Sequence, residues 1–248
     1  MKLNYIFIIG LILAALLVAG CTASSTNNPT NAPQQQQSSN NNQMPPTAPI
    51  TAPTPAATAI PSITLSGSGS QATNQFQLSS GLAIVQATYN GDGSFTGTLQ
   101  DTNGNYIGMP INGLNGYNGA QLVQIPNTGA YVINIKTDST TSNPWTITIT
   151  QPKGEQSASP PQSYNGKGDQ VLGPIRLNSG MATFITSSNA DGKGNFIARL
   201  YDSDGNLASG IINVKGQNSG NEAISIPSSG VYYINMIYDG SWSISVSQ

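Results

Sequence analysis

The chain has 248 residues and a formal net charge of −2, from 8 Lys and Arg against 10 Asp and Glu, and it contains no His. Without His there is no Ser-His-Asp triad, no Cys-His pair and no His-ligated zinc, and one Cys cannot close an internal disulfide. A slightly acidic balance lacks the basic face that nucleic acid requires, so no nucleic-acid partner is expected.

Lys2 opens a short positive region, and Tyr5 to Ala19 is an apolar run interrupted only by Gly10. As a helix it would reach roughly 22 Å. That is short of the ~30 Å hydrocarbon core, and it fits the apolar region of a signal peptide. The run ends in Val18-Ala19-Gly20-Cys21. This segment resembles the prokaryotic lipobox, although Val18 stands where Leu is commonest. The resemblance implies cleavage between Gly20 and Cys21 and a diacylglyceryl group on the Cys21 thiol. Two acyl chains are enough for stable anchoring, where one is marginal. The alternatives are an ordinary signal peptide or an uncleaved anchor with an incidental thiol. Each reading places the rest of the chain outside the cytoplasmic membrane, and the first makes it a lipid-anchored protein of the extracytoplasmic side.

Thr22 to Pro61 is built from Asn, Gln, Ser, Thr, Pro and Ala without a charge, and includes Gln34-Gln35-Gln36-Gln37 and Asn40-Asn41-Asn42. Such a stretch has too little to bury to offset its ordering entropy and reads as a disordered tether.

The remainder repeats itself. Gly67-Ser68-Gly69 recurs as Gly166-Lys167-Gly168, and Gly81 as Gly180. Phe95, Leu99, Asp101 and Gly104 recur as Phe196, Leu200, Asp202 and Gly205. Ile125-Pro126, Gly129 and Tyr131 recur as Ile226-Pro227, Gly230 and Tyr232, and Trp145 and Gln151 as Trp242 and Gln248. A repeat of this length is a domain with its own core, not a solenoid unit. The expected organisation is therefore a signal peptide over 1–20, a lipidated Cys and tether over 21–61, a first repeat over 62–151, a joint over 152–161 and a second repeat over 162–248. The joint is short, which predicts close neighbours with restricted relative motion.

Within each repeat the hydrophobic period is two. Tyr131, Ile133 and Ile135 alternate with Val132, Asn134 and Lys136, and Trp145, Ile147 and Ile149 with threonines. Trp242, Ile244 and Val246 alternate with serines. Further strands are expected over 83–89, 95–99, 122–125, 182–185, 196–200 and 223–226. Between the runs lie Asn90-Gly91-Asp92-Gly93, Asn103-Gly104, Asp204-Gly205 and Asp239-Gly240, which supply the positive φ angles of tight turns. Many short strands without a helical period predict an all-β chain of two tandem antiparallel β-sandwiches, of jelly-roll or immunoglobulin-like type.

Phe95 to Asn105, Ile125 to Ile133 and Trp145 to Ile149, with their copies Phe196 to Asn206, Ile226 to Ile234 and Trp242 to Val246, form a pattern similar to the pre-peptidase C-terminal domain and related tandem modules of prokaryotic surface proteins. The resemblance implies a module that accompanies an enzyme or surface protein and does no chemistry itself. No peptidase domain accompanies it here.

Asp101-x-Asn103-Gly104-Asn105 and Asp202-x-Asp204-Gly205-Asn206 are weak candidates for calcium, since hard cations want clustered oxygens. They lack the spaced acids of a full calcium loop. The favoured reading is a turn in which Asp caps the backbone, so no cofactor is expected. Trp145 and Trp242 begin strands with apolar alternation, which favours the core over a sugar-stacking platform. Tyr131 and Tyr232 share that core parity and suit a tyrosine corner. Tyr233 and Tyr238 are assigned outward parity and are the candidate exposed aromatic ligand patch. The glycine pairs at 67–69 and 166–168 complete no phosphate-binding motif. No pair of carboxylates or activated nucleophile marks an enzyme. The expected function is that of a non-enzymatic membrane-anchored lipoprotein whose two modules contact an envelope protein, a surface polysaccharide or another extracellular partner; the alternative is a carbohydrate- or small-ligand-binding lipoprotein.

Overall fold

A computed structural model of the chain describes residues 62–154 and 156–248. The signal-peptide and lipobox residues, with Gly20 and Cys21, and the tether through Pro61 lie outside the described residues.

The first repeat contains β1 (Ile63–Ser68), β2 (Gln71–Ala72), β3 (Phe76–Leu78), β4 (Gly81–Tyr89), β5 (Ser94–Asp101), β6 (Tyr106–Leu114), β7 (Tyr117–Ile125), β8 (Gly129–Thr137) and β9 (Pro144–Thr150). The second contains β10 (Gln162–Lys167), β11 (Gln170–Leu177), β12 (Gly180–Ser188), β13 (Asn195–Asp202), β14 (Leu207–Lys215), β15 (Asn218–Ile226), β16 (Gly230–Ile237) and β17 (Ser241–Ser247). The first repeat pairs its strands in the order β1-β9-β4-β7 in one sheet and β2-β8-β5-β6 in the other, with β3 also on β8. The second repeat follows the same plan, β10-β17-β12-β15 and β11-β16-β13-β14.

This order decides between the two topologies that the sequence left open. The first strand of each repeat pairs with the last, the second with the second-last, and so inward to the hairpin β5–β6 or β13–β14. Nested pairing of this kind is a jelly roll, in which one long folded ribbon is wrapped into two facing sheets.

Each sandwich has its own apolar cluster. The first gathers Tyr89, Phe95, Leu99, Ile111, Ile133, Trp145 and Ile147 among others. The second gathers Phe184, Phe196, Leu200, Ile234, Trp242 and Ile244 in corresponding places. Full burial of each such side chain contributes about 1.5–3 kcal/mol. The indole N–H of each tryptophan donates to a turn carbonyl, Trp145 to Gly69 at 3.0 Å and Trp242 to Gly168 at 2.8 Å, so the large rings carry no unpaired donor inward. The phenols of Tyr131 and Tyr232 donate to the carbonyls of Asn127 and Ser228, four residues back, at 2.5 and 2.6 Å. These are the tyrosine corners that the sequence suggested.

On the opposite face of β17 the alternating serines meet hydroxyl partners: Ser163 with Ser245 and Ser187 with Ser243, each pair at 3.0 Å. Such cross-strand pairs hold register without burying anything apolar. Two glutamines close the far ends of the repeats. Gln151 bonds both the N–H and the carbonyl of Ser79, and Gln248 does the same with Asn178.

Candidate functional site

The most developed polar arrangement in the described chain lies where the repeats meet. Strand β7 is the edge of its sheet, so the N–H groups on its outer side need partners from elsewhere. The second repeat supplies them. Ala120 N donates to the Asp169 carbonyl at 3.0 Å, and Leu122 N to the Asn235 side-chain oxygen at 3.2 Å. Asn235 is 2 % exposed, in keeping with an amide placed to satisfy a buried donor.

Asp169 is the centre of the junction. It sits in the turn between β10 and β11, and its carboxylate accepts from the Tyr117 phenol (3.1 Å), the Gln121 amide (2.8 Å) and Tyr238 N (3.1 Å). The first two belong to repeat 1 and the third to repeat 2. Burial pushes the Asp169 carboxyl above the usual carboxylate range, against the three donated hydrogen bonds, which pull it down. Burial, and then the neighbouring Asp169 charge, raise the Tyr117 phenol as well.

Beside these bonds lies a small apolar seam of Leu82, Leu122 and Tyr233, flanked by Ile84, Val171, Tyr201 and Val231. The turn joining β13 to β14 closes its end: Asn206 accepts from the Gln124 amide at 2.6 Å. Next to the seam opens a cleft of about 350 Å³, with Ser80, Lys153, Asp204 and Tyr233 in its walls.

The structure relocates the candidate aromatic patch. Tyr233 and Tyr238 are 4 % and 2 % exposed, so neither lies on an open surface. Tyr233 has the outward parity assigned to it, but repeat 1 covers that face and Tyr233 packs in the seam. Tyr238 follows the end of β16, turns inward against Phe196, and donates to the carbonyls of Asn189 and Gly192 at 2.5 and 3.2 Å. Of the two, Tyr233 alone reaches the cleft.

The acidic turns behave as caps. Asp101 accepts from Asn103 N (2.9 Å), Asn105 N (2.8 Å) and the Asn105 amide (2.7 Å), which hold its carboxyl below the usual range. Asp202 accepts in the same pattern from Asp204 N and Asn206. The Asn103 side chain adds a smaller lowering effect on Asp101, and Asp204 meets Asp202 through its backbone N–H. Among the described residues, no three His, Cys, Asp or Glu side chains gather as a metal site.

Sequence reasoning did not single out Asp169, Asn235 or Tyr117. A signal was present in the mismatch between copies: Asp169 stands where repeat 1 has Ser70, directly after the matched glycine turn. In a chain with few charges, a carboxylate gained by one copy alone marks something that copy does and the other does not.

No family model matches this chain, and no curated protein matches it. Among solved structures, similarity is found to the N-terminal CBM22 tandem domain of Xyn10C from Paenibacillus barcinonensis, at 7 % identity and TM-score 0.22, over 72 % of this chain and 86 % of that one. The chain is also similar to the protein of infectious bursal virus derived T=1 particles, at 11 % identity and TM-score 0.22, over 79 % and 71 %. A variant of Bacillus subtilis oxalate decarboxylase OxdC follows at 10 % identity and TM-score 0.15, over 72 % and 68 %.

Proposed function

We propose that the chain is a non-enzymatic, lipid-anchored extracytoplasmic protein that presents its two sandwiches as one stiff unit for contact with an envelope or extracellular partner. The observation that carries the contact half is the junction: Asp169 and Asn235 satisfy the edge of β7 while Leu82, Leu122 and Tyr233 seal beside them. Restricting the freedom of two modules before they meet a partner lowers the entropic cost of the meeting. The anchoring half rests on the segment from Lys2 to Cys21 and on the uncharged stretch that follows.

The test of anchoring is metabolic labelling with a fatty-acid probe in the producing cell. The unaltered chain takes up label and partitions with membranes. Cys21→Ala takes up none and is released or misprocessed; label retained in that variant overturns the anchor.

A second reading, binding of a carbohydrate or small ligand, is favoured by the cleft beside Tyr233, whose volume falls within the usual range of small-molecule pockets. Lys153 and Asp204 bring opposite charges to the same walls as the Tyr233 ring. A glycan screen with Tyr233→Ala and Lys153→Ala as controls decides it: binding lost in both supports the cleft, and binding unchanged in both removes it.

A further inference from the structure

Inside the chain, one side of repeat 1 is covered by one side of repeat 2. Because the repeats are duplicates, a copy of each of those sides is left uncovered among the described residues. The covered side is β4–β7, where Leu82 and Leu122 are 3 % and 8 % exposed. Its counterpart is β12–β15, in the same register: Gly180 lies opposite Ile226 as Gly81 lies opposite Ile125. There Met181, in the place of Leu82, is 59 % exposed, and Ile185 on the same face is 54 % exposed. Like β7, β15 is an edge strand, and Asn221 and Ala223 hold the positions from which Ala120 and Leu122 donate across the junction.

The covering side is duplicated too. Val132 and Asn134 of β8 stand where Tyr233 and Asn235 stand in β16. The turn at Asp101–Asn105 matches the turn that repeat 2 lays on repeat 1. A Cβ on Gly205 would meet the backbone of Leu82 and Gln124 at 3.3 Å, whereas one on Gly104 would meet nothing within 4 Å. That turn is built alike in both copies and docked in only one.

We infer that repeat 2 of one copy receives repeat 1 of a second copy on its β12–β15 side, repeating the intrachain junction head to tail. Charge supports this choice of partner. Glu222 replaces Gln121, and Lys136 adjoins Thr137, the counterpart of Tyr238. Within the chain, Gln121 and Tyr238 N share the Asp169 carboxylate. In the repeated geometry an exposed acid and an exposed lysine fall within side-chain reach of each other. A head-to-tail contact leaves one of each side free on every added copy, so copies add beyond a pair and end in a ring or an open string. The inference rests on the reading of the tandem as a contact module and names the partner as a second copy of this chain.

The test is thiol cross-linking of the full chain in membranes of the producing cell. Met181→Cys and Val132→Cys face each other in this arrangement, as Leu82 and Tyr233 do within the chain. The double variant gives a ladder of dimers and higher species with a short bifunctional maleimide, above the background set by native Cys21. Absence of the ladder overturns the inference, and so does an equal yield of dimers from Met181→Cys alone, which means that two β12–β15 faces pair with each other. Lys136→Glu, in the cross-linking background, lowers the yield by about tenfold, and adding Glu222→Lys restores it. Loss without restoration overturns the pairing proposed. Fatty-acid label read from the same membranes separates the two ideas: a ladder without label removes only the anchor, and label without a ladder removes only the self-contact.

Discussion

Tyr89 and Tyr238 fill the same pocket in the two sandwiches from different strands. Tyr89, at the end of β4, stacks on Phe95 with ring centroids 4.4 Å apart, and its hydroxyl lies 3.2 Å from Thr137 Oγ1. In repeat 2 the place of Tyr89 is taken by Ser188, and the place of Thr137 by Tyr238, whose ring meets Phe196 edge-on at 5.4 Å. Both phenols lie under equivalent glycines, Gly91 and Gly192, where a Cβ would strike the ring. One aromatic ring is needed at this end of each core, and the two copies supply it from facing strands.

This exchange predicts a compensated pair. Tyr89→Ser empties the pocket in repeat 1 and costs about 3–5 kcal/mol of unfolding free energy, as large-to-small core changes do. Adding Thr137→Tyr rebuilds the arrangement of repeat 2 and recovers more than about 1 kcal/mol, a coupling that contacting residues show and distant ones do not. Denaturant unfolding of the parent, both singles and the double measures it. Additive losses mean that the second ring does not enter the pocket.

The same pair shows how far the sequence could be read. Alternation identified the faces of β8, β9 and β17 because each has one core side and one hydroxylated side. It named neither β6 nor β14. Their burial runs through consecutive residues, Pro110-Ile111 and Ile211-Ile212, where shifts in pairing with β5 and β13 break the period of two. It also misplaced Tyr238, which has the parity of Tyr232, Ile234 and Met236 and therefore belongs to the core side that the alternation already marked, opposite to the side of Tyr233. Tyr233 was given the right face and the wrong surroundings: parity says which way a side chain points, and nothing about a second domain covering that side. The junction residues were illegible for the same reason, since their partners lie more than 40 residues away and in the other copy.

Asp169 makes stability depend on pH with a sign opposite to that of the turn carboxylates. Its folded pKa is raised, so between the ordinary carboxylate value and the raised one the folded chain holds a proton that the unfolded chain has released. Its contribution is therefore full below the ordinary value and falls as pH rises through the raised one. Asp101 and Asp191, whose pKa values are lowered by bonds from their own neighbourhoods, stabilise above the ordinary value and lose that effect as pH falls. Unfolding curves of the parent and of Asp169→Asn, taken at each pH and subtracted, isolate the one from the other. The parent-minus-variant difference declines with rising pH through the carboxylate range and then levels. A difference that rises with pH means that the donors from Tyr117, Gln121 and Tyr238 outweigh burial.

Gly104 and Gly205 give the last prediction, because they are the same residue of the same turn with and without a neighbour. Both have positive φ, 83° and 82°, so an alanine at either is strained by about 1 kcal/mol. Gly104→Ala meets open space and loses only that. Gly205→Ala also presses its methyl onto the backbone of Leu82 and Gln124, which has no flexible end to yield, and shifts the turn from which Asn206 bonds Gln124. The second variant loses more than the first by about 1–3 kcal/mol, in the range of overpacked contacts. Hydrogen exchange locates the difference: the amides of Ala120 and Leu122, both bonded across the junction, exchange faster in Gly205→Ala and at the parental rate in Gly104→Ala. Equal losses, with those two amides unchanged in both variants, mean that the turn does not bear on repeat 1 in solution.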